Sequence, residues 1–178
     1  MHYIKRNLEK VVAQVTKEYP VVLVTGPRQV GKTTMLQKLM EGTDRGYVTL
    51  DDLNDRSLAK NDPELFLQLH KPPVLIDEVQ YAPELFTYIK KYVDKNHEPG
   101  AFWLTGSQVF KLMRGVQESL AGRVAVLSLT SLSQAEISGG EMKPFTIELE
   151  KLSERENERD KTDARGIFER IYRGSMPA

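Results

Sequence analysis

The sequence predicts an α/β fold, a parallel five-stranded sheet with helices on both faces. Three observations predict it. Short apolar runs alternate five times with segments of helical character, and such alternation builds a parallel sheet through crossover helices. The first of those runs is unbroken rather than alternating, as in a strand buried on both faces. That run leads directly into GPRQVGKT, Gly26–Thr33, a glycine-bounded P-loop pattern that needs a strand before it and a helix after it.

Taken in order, residues 2–18 read as a helix, with Ile4, Leu8, Val11, Val12 and Val15 on one face and Pro20 closing it. Val21–Gly26 is the first strand. From about Thr33 to Met40, Met35, Leu36, Leu39 and Met40 form an apolar stripe, and Gly42 stands at the C-terminal cap position. Gly46–Asp52 reads as the second strand, followed by a polar helical stretch to about His70. Pro73–Val79 is the third strand and Glu84–Lys95 a helix. Gly100–Ser107 is the fourth strand, with a helix over Val109–Leu120, and Ala125–Leu129 is the fifth.

The domain plan follows. Residues 1–138 form the P-loop domain. Residues 139–165 read as a charged linker or exposed helix, because twelve of the eighteen residues from Glu148 to Arg165 are charged, with both signs mixed. Residues 166–178 regain an apolar pattern at Ile167, Phe168 and Ile171 and read as the start of a further helical region. The expectation is that this is the N-terminal part of a longer protein.

Composition narrows the function classes. The 178 residues include no cysteine, which removes disulfides, thiolate metal sites and thiol nucleophiles and fits a cytoplasmic protein. The formal net charge is zero, so charge gives no support for nucleic acid as a partner beyond a local patch. The N-terminus lacks a signal-peptide pattern, and no apolar run approaches the roughly 18 residues that span a membrane.

Gly26, Pro27, Arg28, Gln29, Val30, Gly31, Lys32, Thr33 and Thr34 are the expected nucleotide-binding residues. The glycines allow positive φ and close backbone approach. Successive N–H groups at a helix N-terminus then cradle a phosphate. Lys32 is expected to reach the β- and γ-phosphates of ATP and the Thr33 hydroxyl to ligate Mg²⁺. Downstream, VLIDE (Val74–Glu78) is an apolar strand ending in two carboxylates. Strand alternation would point them apart, leaving Asp77 for Mg²⁺, through a water, and Glu78 for the attacking water.

GPRQVGKTT, VLIDEVQ, FWLTGSQ and SLAGRVAVLSLTSLSQAEI resemble the ATPase domain of bacterial and archaeal AAA-like proteins that carry a C-terminal domain of unknown function. The resemblance spans roughly residues 1–140. It implies an additional-strand sheet in which the LTGS strand lies between the P-loop strand and the Asp-Glu strand. It also implies that Ser107 occupies the position that senses the γ-phosphate, and that Arg123 faces phosphate or a neighbouring subunit, the latter in a homo-oligomer. It names no protein partner.

Blander readings stand beside these. Ser107 could cap the following helix, Arg123 could form a surface ion pair, and Arg28 could simply be solvent-exposed. His2, His70 and His97 lack metal-ligand spacing and read as surface residues. Phe102 and Trp103 read as core. DARG (Asp163–Gly166) spells a GTPase D-x-x-G but lies in the charged segment, with no N-K-x-D to read a base. The leading function is an ATP-hydrolysing switch or remodelling ATPase. A P-loop small-molecule kinase and a nucleotide-dependent scaffold or nucleic-acid-binding module with little turnover are the alternatives.

Overall fold

The structure, a computed structural model, describes residues 3–107, 109–140, 145–157 and 163–177. The chain divides into two units, Leu8–Thr130 and residues 1–7 together with 131–178.

The larger unit holds helix α1 (Leu8–Val15), strand β1 (Val21–Thr25), α2 (Lys32–Met40), β2 (Gly46–Thr49), α3 (Leu53–Asn61), α4 (Pro63–Leu69), β3 (Val74–Asp77), α5 (Leu85–Asn96), β4 (Phe102–Gly106), α6 (Val109–Ser119) and β5 (Val124–Ser128). The strands form one parallel sheet in the order β2-β3-β4-β1-β5. The strand carrying LTGS therefore lies between the P-loop strand and the Asp-Glu strand, as the family resemblance implies.

Strand pleating divides the core in two. Val21, Leu23, Val74, Ile76, Phe102 and Leu104 face a cluster completed by Phe66, Phe86, Ile89 and Leu112 from α4, α5 and α6. Their neighbours Val22, Val24, Leu75 and Trp103 face the other side, against Val12, Met35 and Leu36 of α1 and α2. Burying strands on both faces explains their unbroken apolar sequences. Phe102 is fully buried and Trp103 nearly so. The indole Nε1 donates to Thr16 Oγ1 at 3.0 Å, while the Arg45 guanidinium lies 4.0 Å above its ring.

Several boundaries differ from the sequence reading. The first helix starts at Leu8, because Tyr3–Asn7 belongs to the second unit; His2 lies outside the described residues. The second strand ends at Thr49. The polar stretch after it is two helices, not one, because Asp62 closes α3 and caps α4, accepting from the Leu65 N–H, with Pro63 at the first helical position. His70 is half-buried rather than on the surface. It stacks on Phe66 and pairs with Asp55 at 3.4 Å. His97 is exposed.

In the second unit, α7 (Gln134–Ile137) begins with a capping box of Ser133 and Glu136. Buried Glu136 also receives the Arg6 guanidinium at 3.1 Å and the Asn7 N–H at 2.8 Å. Burial pushes the Glu136 carboxyl up, but the Ser133 and Asn7 N–H groups and Arg6 outweigh it and hold the group below its ordinary range. Two further helices follow, α8 (Leu149–Asn157) and α9 (Ala164–Arg173). Part of the charged segment is thus helical; its residues 158–162 lie outside the described set. Asp163 of the DARG spelling is the cap of α9, accepting from the Gly166 N–H at 2.8 Å. Ile167, Phe168 and Ile171 are exposed.

Candidate functional site

The candidate site lies at the C-terminal edge of the sheet, where α/β folds hold their ligands. β1 ends at Thr25 and the chain turns sharply. Gly26 has φ 142°, and a Cβ there would lie 2.0 Å from the Leu129 carbonyl oxygen, so only glycine fits. Gly31, at φ 87°, ends the loop as the N-cap of α2 and offers no side chain to the free N–H groups of the first turn. Those groups and the helix dipole favour an anion. Gln29 also takes positive φ, 64°, although it has a side chain, a conformation that costs about 1 kcal/mol or more.

Arg28, Gln29, Gly31, Lys32, Thr33 and Thr34 line a cleft of about 470 Å³, together with Asp51, Glu78 and Tyr81. Val30 instead packs into the core, and Pro27 is exposed. Lys32 is 5% exposed. Its ammonium donates to the carbonyls of Gly26 at 3.1 Å and Pro27 at 2.7 Å. Burial lowers its pKa and Arg28 adds to that, while the charges of Glu78 and Asp77 oppose it.

Asp77 ends β3 and is 6% exposed. Its Oδ1 accepts from Thr33 Oγ1 at 2.6 Å and from Thr105 Oγ1, and its Oδ2 lies 3.5 Å from Thr49 Oγ1. Thr105 in turn accepts from the Glu78 N–H at 3.0 Å. The strand order accounts for this convergence. β4 lies beside both β1 and β3, with Thr25 opposite Gly106 and Ile76 opposite Leu104. Thr105 and Ser107 therefore emerge between the phosphate loop and the two acids.

A hydroxyl and a carboxylate 2.6 Å apart at the mouth of a phosphate loop suit Mg²⁺, which takes few protein ligands and fills its shell with phosphate oxygens and waters. Among the described residues no cluster of three His, Cys, Asp or Glu side chains forms a protein-only cage.

Strand alternation does not aim Glu78, because the strand has already ended. Glu78 sits in the left-handed region at φ 57°, ψ 44°, at the start of a 3₁₀ turn over Val79–Tyr81. Its carboxylate receives the Ser107 hydroxyl at 3.4 Å and the Gln80 amide nitrogen. Thr49, Thr105 and Gln80 escaped the sequence reading. Gln80, two residues after Glu78, lies in VLIDEVQ, and Thr105 lies in FWLTGSQ; neither motif marks its role.

Arg123 is not at this site. The Val21 N–H donates to its carbonyl at 3.3 Å, so it lies level with the start of β1, whereas the phosphate loop follows that strand's end. About five residues of strand, roughly 16 Å, intervene. Its guanidinium pairs with Asp94. The expectation that Arg123 faces the phosphate of its own chain is therefore corrected to an exposed ion pair.

Fold and site together define a P-loop nucleotide-binding domain. Residues 18–138 match the AAA domain family, and the chain belongs to that family of P-loop ATPases. Two uncharacterized proteins, one from Mycobacterium bovis and one from Mycobacterium tuberculosis, are each 37% identical to it over 119 residues, 66% of this chain. The match covers 26% of the length of each relative. Among solved structures, the Walker-type ATPase of Pyrococcus abyssi superposes with a TM-score of 0.55 at 18% identity, covering 90% of this chain and 60% of that one. A RuvB variant from Thermotoga maritima gives 0.50 at 17% identity, covering 75% and 47%. These likenesses concern the fold. No helix among the described residues is long and apolar enough to cross a membrane.

Proposed function

We propose that this domain binds ATP with Mg²⁺ and hydrolyses it to ADP and phosphate, acting as a molecular switch. The observation that carries the reading is the placement of the Glu78 carboxylate beside Ser107, on the cleft that the phosphate loop and Lys32 also line. The loop N–H groups and Lys32 bind and orient the phosphates. Lys32 leaves the Gly26 and Pro27 carbonyls to do so. Thr33 and Asp77 would hold Mg²⁺, which when bound neutralises phosphate charge. Glu78 takes a proton from water, the water oxygen attacks the γ-phosphorus, and the bond to the β–γ bridging oxygen breaks, releasing ADP. On binding, the Ser107 hydroxyl turns from Glu78 and donates its one proton to a γ-phosphate oxygen. When phosphate leaves, that contact is lost, and neighbouring elements can shift.

The reading is tested with Glu78→Gln, which keeps shape and removes the proton acceptor. Mg-ATP affinity by calorimetry should hold within about twofold, while turnover falls about a hundredfold or more. A variant that turns over at the parent rate would make Glu78 a structural residue. A nucleotide-dependent scaffold would bind Mg-ATP and release no phosphate at any rate.

A further inference from the structure

Gln80 is 9% exposed and sits in the 3₁₀ turn that follows the two acids. Its amide nitrogen donates to Glu78 Oε2 and lies 3.5 Å from Ser107 Oγ. Ser107 Oγ donates to the same Glu78 oxygen at 3.4 Å. The three side chains form a closed triangle joining the ends of β3 and β4. The reverse amide orientation would set oxygen against a carboxylate, so chemistry forces the nitrogen toward Glu78.

The other end of the amide makes the arrangement costly. Gln80 Oε1 is buried with no hydrogen-bond partner among the described residues, and a buried acceptor left unpaired carries a desolvation penalty. Gly106 makes room for it, because a Cβ there would lie 2.5 Å from that oxygen. Packing alone would favour methionine, which has a similar shape and no buried polar atom. What glutamine adds is the donor to Glu78.

We propose that Gln80 is a positioning residue for hydrolysis: its amide fixes the Glu78 carboxylate through Oε2, leaves Oε1 to take the proton of the attacking water, and ties the carboxylate to Ser107. The inference rests on the hydrolytic reading above. In this role Gln80 acts through Glu78 rather than on nucleotide or water directly.

The test compares the parent chain with Gln80→Met, Gln80→Glu, Ser107→Ala and the double variant Gln80→Met with Ser107→Ala. Phosphate release, Mg-ATP affinity and melting temperature are measured for each. In Gln80→Met, kcat should fall about tenfold to a hundredfold, the loss of one hydrogen bond to a charged group, with affinity within about twofold and melting temperature not lowered. Gln80→Glu should lose at least as much, because it sets a second carboxylate against the first. Gln80→Met and Ser107→Ala should combine to less than the product of their separate losses, since the Gln80 amide contacts Glu78 and Ser107 together. A parent chain without turnover above the blank overturns the hydrolytic reading and this inference with it. Parent turnover that Gln80→Met leaves unchanged overturns the inference alone. Affinity and melting temperature falling in step with kcat would make Gln80 a packing residue and overturn it too.

Discussion

The Lys32 ammonium makes two bonds to the loop that carries it, at 3.1 and 2.7 Å. An incoming phosphate must exchange those carbonyls for its own oxygens, and a charge-assisted bond gains by the exchange. Lys32→Ala should therefore weaken Mg-ATP binding by about 3 kcal/mol, over a hundredfold, by calorimetry. Unchanged affinity would refute the role. Glu136 offers a second test at this scale. Its carboxyl is held below its ordinary value, so the carboxylate's contribution is present above the unfolded-state pKa and is lost as pH falls through the folded value. At neutral pH, Glu136→Gln should cost about 1–3 kcal/mol, a gap that closes as the pH drops below about 4. Thermal unfolding across that range checks it; a gap independent of pH would contradict it.

Among the elements, the turn from β1 to α2 is the most constrained. Gly26→Ala must move either the loop or the Leu129 carbonyl, 2.0 Å from the new methyl. A Cβ added at Gly42, at φ 78°, would meet nothing within 4 Å among the described residues. Gly42→Ala should therefore cost about 1 kcal/mol of stability and leave Mg-ATP affinity alone, whereas Gly26→Ala should cost more than twice that and weaken affinity as well. Denaturant melts and calorimetry on the pair check this; equal effects would mean the loop is not tightly seated. The strands were legible because burial on both faces leaves a continuous apolar run, and the P-loop because its glycines are forced by geometry. The break between α3 and α4 was missed, although Asp62–Pro63 carries the cap-and-proline signal. Strand alternation does not explain the direction of Glu78, because a left-handed turn, invisible to a period-two pattern, sets it.

At the scale of the molecule, contacts distant in sequence decided what the motifs could not. Thr105 and Thr49 reach Asp77 across 28 positions each, and only the strand order brings them there. The parallel pairing of β5 with β1 sets Arg123 level with the start of β1, at the opposite end of the sheet from the phosphate loop. Arg123→Ala should leave turnover within about twofold of the parent at every protein concentration, since an exposed ion pair away from the cleft contributes little to stability and nothing to the site. Specific activity that rises steeply with concentration and collapses in Arg123→Ala would restore a role in a neighbouring subunit. The sequence reads residues 2–18 as one helix, yet Glu136 gathers Arg6 and Asn7 into the second unit. No local periodicity carries that information.

The central claim is that Glu78 directs water onto the γ-phosphorus. Its most direct test is Mg-ATP turnover in oxygen-18 water, with the released phosphate analysed by mass spectrometry and no acceptor present. The account predicts phosphate carrying one solvent-derived oxygen, formed in proportion to enzyme, and no labelled phosphate above background with Glu78→Gln. Phosphate that forms equally with Glu78→Gln, or γ-phosphoryl transfer that proceeds only when an acceptor molecule is added, would contradict it.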